Sequence, residues 1–214
     1  MGGSAAAGRA ARLRFDGWIA GIGTASGTRA VLGHWTRSPF GPFSDVMIER
    51  ADGHRLLLAP SPRIADFVAA TYAFDTVRVA PVAVRAEGAD WTVAAGPLDL
   101  RFTTGRRGLT GLLLRAVPAP LAARPAWTAV TYLPARLLLG VRTRGSAGGG
   151  RREWYGALDL RPVVAATAVL GGRDLGPLAP VDPPVRFGFG STPRRPGLVR
   201  VTTTVETGPS PATG

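Results

Sequence analysis

The stretch SPFGPFSDVMIERADGHRLLLAP, residues 38–60, predicts two antiparallel strands and an unusual approach to the first of them. Apolar runs at 45–49 and 55–59 flank an Asp-Gly turn, the usual signal for a hairpin. In the preceding SPFGPF, the prolines stiffen the loop and Gly41 permits a tight bend. Phe40 and Phe43 can then line an apolar wall, with Asp45 at the start of the strand. We interpret this stretch as one wall of a ligand cavity.

The rest of the chain favours strands joined by many turns, in keeping with its 29 glycines and 19 prolines. Pro81 interrupts one predicted strand and indicates a sheet edge or a bulge there. A single clear helix is predicted at 61–72, where Ser61 can cap and Pro62 suits the first helical position. Further strands are predicted at 15–22, 28–35, 76–84, 91–95, 98–103, 152–155, 163–170 and 198–205.

The apolar segment 109–139 predicts one helix at 109–121, ended by prolines, followed by a second short helix or an irregular lid. Either it plugs the open end of a sheet or barrel, or it contacts a membrane or a partner. The fold class predicted is therefore mainly β (α+β): an antiparallel, barrel-like or cone-like sheet with two or three helices covering an end. Residues 13–206 are expected to form a single domain, with disordered tails at 1–12 and 207–214.

Composition excludes several kinds of chemistry. All 26 basic residues are arginine, and cysteine is absent. A Schiff-base lysine, a phosphate-binding Gly-Lys-Ser/Thr loop and thiolate sites are thereby excluded. The 45% apolar and 19% charged residues are typical of a globular chain. No signal segment is recognised and arginines interrupt the most apolar region, so we expect a cytoplasmic protein with no membrane span.

The net charge of +12 invites a nucleic-acid interpretation. The arginines are scattered, however, and no basic helix or aromatic RNA-binding motif accompanies them. A basic solvated surface is the simpler interpretation, and nucleic-acid binding is not expected.

Few residues are suited to catalysis or metal binding. The two histidines, His34 and His54, are too few for a metal cluster, so no metal and no cofactor are predicted. A Ser-His-Asp triad is formally open, but no nucleophile-elbow motif supports it. The run Arg151-Arg152-Glu153-Trp154-Tyr155 allows two interpretations. Either Glu153 or Tyr155 faces a cavity beside an arginine fork for a carboxylate or phosphate, or the run is a strand with alternate residues in solvent.

Residues 38–45, Ser-Pro-Phe-Gly-Pro-Phe-Ser-Asp, resemble a segment of the acetoacetate-decarboxylase-like superfamily, in which a Ser-Pro-x-Gly-Pro-aromatic run precedes an acidic residue. Residues 171–180 show a fainter similarity. The resemblance implies a cone-like antiparallel barrel around a small carboxylate-binding cavity, with Asp45 at the position of an active-site acid. Those decarboxylases form a Schiff base through lysine, which this chain lacks, so that mechanism is excluded.

The predicted function is small-molecule binding in an apolar β cavity. One alternative is a lysine-free enzyme related to acetoacetate decarboxylases, acting on a small keto or hydroxy acid. A second alternative is a basic surface module that binds nucleic acid or an anionic membrane. A carboxylate is one candidate ligand, with an arginine as its anchor, and a homo-oligomer is left open. The candidate residues are Asp45 as catalytic acid or base and, for ligand binding, Phe40, Phe43, His34, Arg152, Glu153 and Tyr155.

Overall fold

A computed structural model describes residues 12–116, 144–146, 152–187 and 192–206. Strands dominate this part of the chain, and every strand pair but one is antiparallel. The strands are β1 Arg12–Thr24, β2 Arg29–Arg37, β3 Phe43–Glu49, β4 Arg55–Ala59, β5 Thr76–Val79, β6 Val82–Glu87, β7 Asp90–Ala95, β8 Leu98–Thr104, β9 Arg144–Ser146, β10 Arg152–Leu170, β11 Arg173–Asp174, β12 Leu178–Ala179 and β13 Gly197–Glu206. The helices are α1 Pro62–Ala69 and α2 Leu109–Ala116.

The long strands follow the order β5-β4-β3-β2-β1-β13-β10-β8-β7-β6, and β9, β11 and β12 pair at the sides. The sheet curls because β10 belongs to two ladders: its first part pairs with β13, and its last part pairs with β8. Register shifts at Ala157/Asp159 and Val163/Ala165 mark this change of partner. Such irregularities bend a strand and increase its twist. The mainly antiparallel β prediction with few helices is thus confirmed.

The main core lies between the two halves of the curled sheet. On β7, Trp91, Val93 and Ala95 are buried and alternate with exposed residues, as expected for a sheet with one wet face. They pack against apolar residues from β1 to β4, among them Ile22 and Ile48. Strands β1 to β3 differ because they are buried on both faces. Their second face is covered by α1 and by residues 181–187, and the candidate site lies there.

The helix predicted at 61–72 is observed as α1, with Ser61 at its N-cap and Pro62 in its first turn. The strand predicted at 76–84 is two strands, since β5 ends at Val79 and β6 begins at Val82. Pro81 has no N–H to donate to a ladder, so strand pairing stops there. Before it, β5 pairs with β4, and after it, β6 pairs with β7 at the other end of the strand order.

Within the apolar segment, the described residues form α2, which packs on β10; a Cβ added at Gly111 would lie 2.2 Å from the Leu160 carbonyl oxygen. Residues 117–139 and the predicted tails, apart from Arg12 in β1, lie outside the described residues. Both described helices have eight residues, too few to cross a bilayer.

Candidate functional site

The floor of the site is set by the register of β1, β2 and β3. Gly33 pairs with Asp45, and Trp35 pairs with Phe43. Directly opposed residues of an antiparallel pair share a face, so all four lie on the second face of the sheet. Phe15 of β1 joins them, with its ring centroid 5.6 Å from that of Trp35.

A cavity of about 70 Å³ lies between this floor and a roof made of α1 and residues 181–187. Helix α1 faces it with Phe67 and Val68, and Tyr72 follows just after the helix. Most of the lining is aromatic or aliphatic. The lining residues are Phe15, Ile19, Val31, Gly33, Trp35, Phe43, Asp45, Met47, Phe67, Val68, Thr71, Tyr72, Tyr155, Val185, Phe187, Thr192, Thr203 and Val205.

Asp45 is the one acidic residue among these lining residues, and it is only 4% exposed. The indole N–H of Trp35 donates a hydrogen bond to Oδ1 of Asp45 at 3.1 Å. Oδ2 receives no hydrogen bond from the described residues. Burial raises the pKa of Asp45 from its usual 3.8 to about 7, and the Trp35 hydrogen bond opposes this only in part. The carboxyl can therefore be present as acid or base near neutral pH.

Gly33 makes room for this carboxyl. A Cβ added there would lie 2.6 Å from Oδ1 of Asp45 and 2.8 Å from Nε1 of Trp35. Both distances are far inside van der Waals contact, so any larger residue would displace one partner of the hydrogen bond.

A second polar group lies under the roof. The hydroxyl oxygens of Tyr72 and Tyr155 are 2.6 Å apart, a short hydrogen bond that joins the end of α1 to β10. Thr203 pairs with both Phe15 and Tyr155 in the ladders, which places it beside this group. The cavity thus has a carboxyl on β3 and hydroxyls on the other side of β1.

The predicted site residues fall into four groups, of which His34 is the last. Asp45, Phe43 and Tyr155 line the cavity. Phe40 stands behind the wall, where its ring packs on Phe67 with centroids 4.9 Å apart. Arg152 and Glu153 occupy β10 opposite Glu206 and Val205 of β13, and their side chains lie outside the described structure.

His34 lies on the opposite face of the sheet from Asp45. Its Nδ1 is 2.8 Å from the Ser44 hydroxyl, and its ring packs edge-on against Trp91 of the main core. Burial lowers the pKa of His34. Because it packs against Trp91 on the opposite face, the His34 side chain points away from the cavity.

Among the described residues, no cationic side chain lines the cavity and no metal cluster occurs. None of the described lining residues is an arginine, so the predicted arginine anchor is not among them. No group of three or more metal-ligating residues occurs within the described ranges. Gly33, Trp35, Phe15 and Tyr72 also line the cavity, and none of them is predicted as a site residue from the sequence. The strand signal of 28–35 was visible, but choosing its cavity-facing residues requires the register against β3.

Comparison with known proteins gave one kind of match. The chain is similar in structure to acetoacetate decarboxylase from Legionella pneumophila, with a TM-score of 0.42 and 11% sequence identity over 98% of this chain and 90% of that one. This likeness concerns the fold alone. No family model matches the sequence. No curated protein matches it either.

Proposed function

We propose that this protein binds a small neutral oxygen compound, such as a ketone or an aldehyde, in the cavity at Asp45. The observation that carries the proposal is the state of that carboxyl: buried in an apolar wall, with Oδ1 held by Trp35 and Oδ2 unpaired among the described residues. A protonated carboxyl is a hydrogen-bond donor. Its natural complement is a carbonyl oxygen on an otherwise apolar molecule.

Size and charge narrow the ligand class. An apolar cavity of about 150 Å³ holds benzene, so about 70 Å³ suits a molecule of roughly three to five heavy atoms. A carboxylate is disfavoured because no cation lines the described cavity, and its charge would repel an ionised Asp45. A neutral carbonyl compound therefore fits the cavity better than the carboxylate predicted from sequence.

Acetone is a suitable probe, followed by saturation-transfer NMR across pH. We expect wild-type binding at pH 6 and a progressive loss above pH 7, because an ionised Asp45 has no proton to donate. Asp45→Leu should abolish binding. Asp45→Asn should keep it and remove the pH dependence, since the amide still donates but does not titrate.

Ser44→Ala is the matched control because it changes the same strand on the opposite face. It should leave acetone binding and its pH profile as in wild type. Equal binding by wild type and Asp45→Leu would refute the proposal.

A second candidate function is acid–base catalysis without lysine on the same small carbonyl compounds; the keto or hydroxy acid predicted from sequence would bring a carboxylate that the described cavity does not favour. What favours it is the position of Asp45 in the cavity wall, with Oδ1 held by Trp35, because a carboxyl placed there with a pKa of about 7 is suited to exchange a proton with a bound substrate near neutral pH. In its ionised form Asp45 would take a proton from the carbon next to the carbonyl and later return it.

The same probe separates binding from catalysis. In D₂O, a catalyst of this kind would replace the α-hydrogens of acetone with deuterium, and Asp45→Asn would stop the exchange while still binding acetone. If wild type binds acetone without exchanging its α-hydrogens for deuterium, the catalytic function is refuted and the binding function stands.

A further inference from the structure

Residues 181–187 form half of the cavity roof without belonging to a strand. Val185 and Phe187 face the cavity, and their neighbour Arg186 points outward with its side chain 73% exposed. The segment is tied at both ends: the Phe187 carbonyl accepts a hydrogen bond from Ala73 N–H at 2.6 Å, and Val181 N–H donates to the Arg194 carbonyl at 2.8 Å. Its position over the floor depends on such ties, because it has no ladder of its own.

A buried carboxylate makes the central tie. Glu49 stands at the end of β3, four positions after Asp45 in the same alternation, and is 0% exposed. Its Oε2 accepts the backbone N–H of Arg186 at 2.6 Å, between the two roof residues. Its Oε1 pairs with Arg29 of β2 at 2.8 Å, and Arg29 is itself only 3% exposed. The Arg186 side chain approaches Oε1 at 3.4 Å.

The energetics of the Arg29–Glu49 ion pair indicate a role beyond packing. A buried ion pair costs desolvation that its attraction barely offsets, and well-packed apolar residues are often at least as stable. Nε of Arg29 also stays buried without a hydrogen bond from the described residues. What the carboxylate provides that an apolar side chain cannot is a charged acceptor for a roof amide.

We propose that Glu49 is a positioning residue: it holds residues 185–187 over the Asp45 cavity and so controls how tightly the cavity binds its ligand. The proposal rests on the proposed function for its ligand, but the tie itself can be measured without one. Arg29 is the buried counter-ion of Glu49.

The test compares Glu49→Gln and Glu49→Leu with Asp159→Asn. Asp159 is a buried carboxylate on β10 that pairs with Arg107 at 2.9 Å and does not line the cavity. Asp159→Asn therefore weakens another carboxylate–arginine pair, one whose residues do not line the cavity. Two readouts are used: hydrogen exchange of the Arg186 amide relative to a core amide such as Leu57, and acetone affinity.

We expect Glu49→Leu to speed exchange of the Arg186 amide by at least about tenfold relative to Leu57, and to weaken acetone binding by a similar factor. Glu49→Gln should show smaller changes, because the amide oxygen still accepts but carries no charge. Asp159→Asn should leave both ratios unchanged. Unaltered exchange at Arg186, or altered exchange with unaltered affinity, would overturn the proposal.

Failure of the proposed function would look different. If wild type itself does not bind acetone, the ligand assignment fails, and the exchange ratio alone then decides whether Glu49 holds the roof. If Glu49→Leu does not fold, Glu49→Gln supplies both readouts.

Discussion

At the scale of single residues, Asp45 keeps a proton in the folded protein that the unfolded chain would release. Its folded pKa is about 7, and the usual value is 3.8. Between those values the native state binds more protons than the unfolded state, so stability falls as pH rises. Above about pH 7 both states are ionised and the curve is flat. Over the whole window the loss is on the order of 4 kcal/mol, at 1.36 kcal/mol for each pKa unit.

Asp45→Asn should therefore stabilise the protein at pH 8 by a few kcal/mol and have a much smaller effect at pH 4, where Asp45 is neutral in the folded protein and only part-ionised in the unfolded chain. Urea unfolding at the two pH values measures this difference. Asp75→Asn is a control of opposite sign: hydrogen bonds from Arg55 lower the pKa of Asp75 to about 2. The contribution of Asp75 to folding stability is present above its unfolded pKa and is lost as pH falls toward 2. Parallel pH curves for wild type and Asp45→Asn would contradict the assignment.

Gly33 offers a steric test of the same contact. Gly33→Ala would put a methyl carbon where Oδ1 of Asp45 and Nε1 of Trp35 meet. We expect a loss of about 1–3 kcal/mol, the usual cost of overpacking, and an upfield shift of the Trp35 indole proton as its hydrogen bond breaks.

Gly108→Ala is the matched substitution, since a Cβ there meets no atom within 4 Å. It should cost little and leave the Trp35 signal in place. An undisturbed Trp35 signal in Gly33→Ala would contradict the close contact of position 33 with Asp45 and Trp35.

At the scale of elements, α1 depends on its first turn. The Ser61 side chain accepts the Ile64 N–H at 3.4 Å, and Pro62 supplies a preset backbone angle. Ser61→Ala should cost about 1 kcal/mol, and Ser61→Asn should cost much less because asparagine also caps. Thermal or urea unfolding measures both. Because α1 brings Phe67 and Val68 to the cavity, Ser61→Ala should also weaken acetone binding; equal stability of the two variants would refute the capping role.

Elements with local signals were the ones that sequence could predict. The hairpin of β3 and β4 is fixed by Asp52-Gly53, where Gly53 has φ of 86° in the left-handed region. Helix α1 is fixed by Ser61 and Pro62. The break at Pro81 was predicted only as an edge or bulge, because the residues of 76–84 do not reveal that β5 pairs with β4 while β6 pairs with β7.

The site residues that lie in one continuous stretch of sequence were predictable, and those brought together from distant strands and a helix were not. Asp45 and Phe43 follow from one short stretch whose loop and strand adjoin. Trp35 and Tyr72 reach the cavity through cross-strand register and helix packing, which no single segment carries. His34 was a candidate because imidazole can bind metals and transfer protons. Side chains alternate along β2, however, so His34 lies on the other face of the sheet from its neighbour Trp35.

At the scale of the whole molecule, the absence of lysine separates this chain from amine catalysis. Its 26 basic residues are all arginine, whose guanidinium does not form Schiff bases under ordinary conditions. We expect acetone with borohydride to leave every internal residue unmodified, as checked by peptide mass mapping. Met47→Lys is the positive control, since Met47 lines the cavity two positions after Asp45.

Burial would lower the pKa of a lysine at position 47 and leave a nucleophilic amine beside a carboxyl that can donate a proton. We therefore expect reductive trapping of acetone at that residue in Met47→Lys. Trapping there, together with a clean wild type, would mean that the cavity is accessible to a ketone and that only the amine is missing. A folded Met47→Lys that stays unmodified would mean that acetone does not reach Asp45, and the ligand assignment would have to be abandoned.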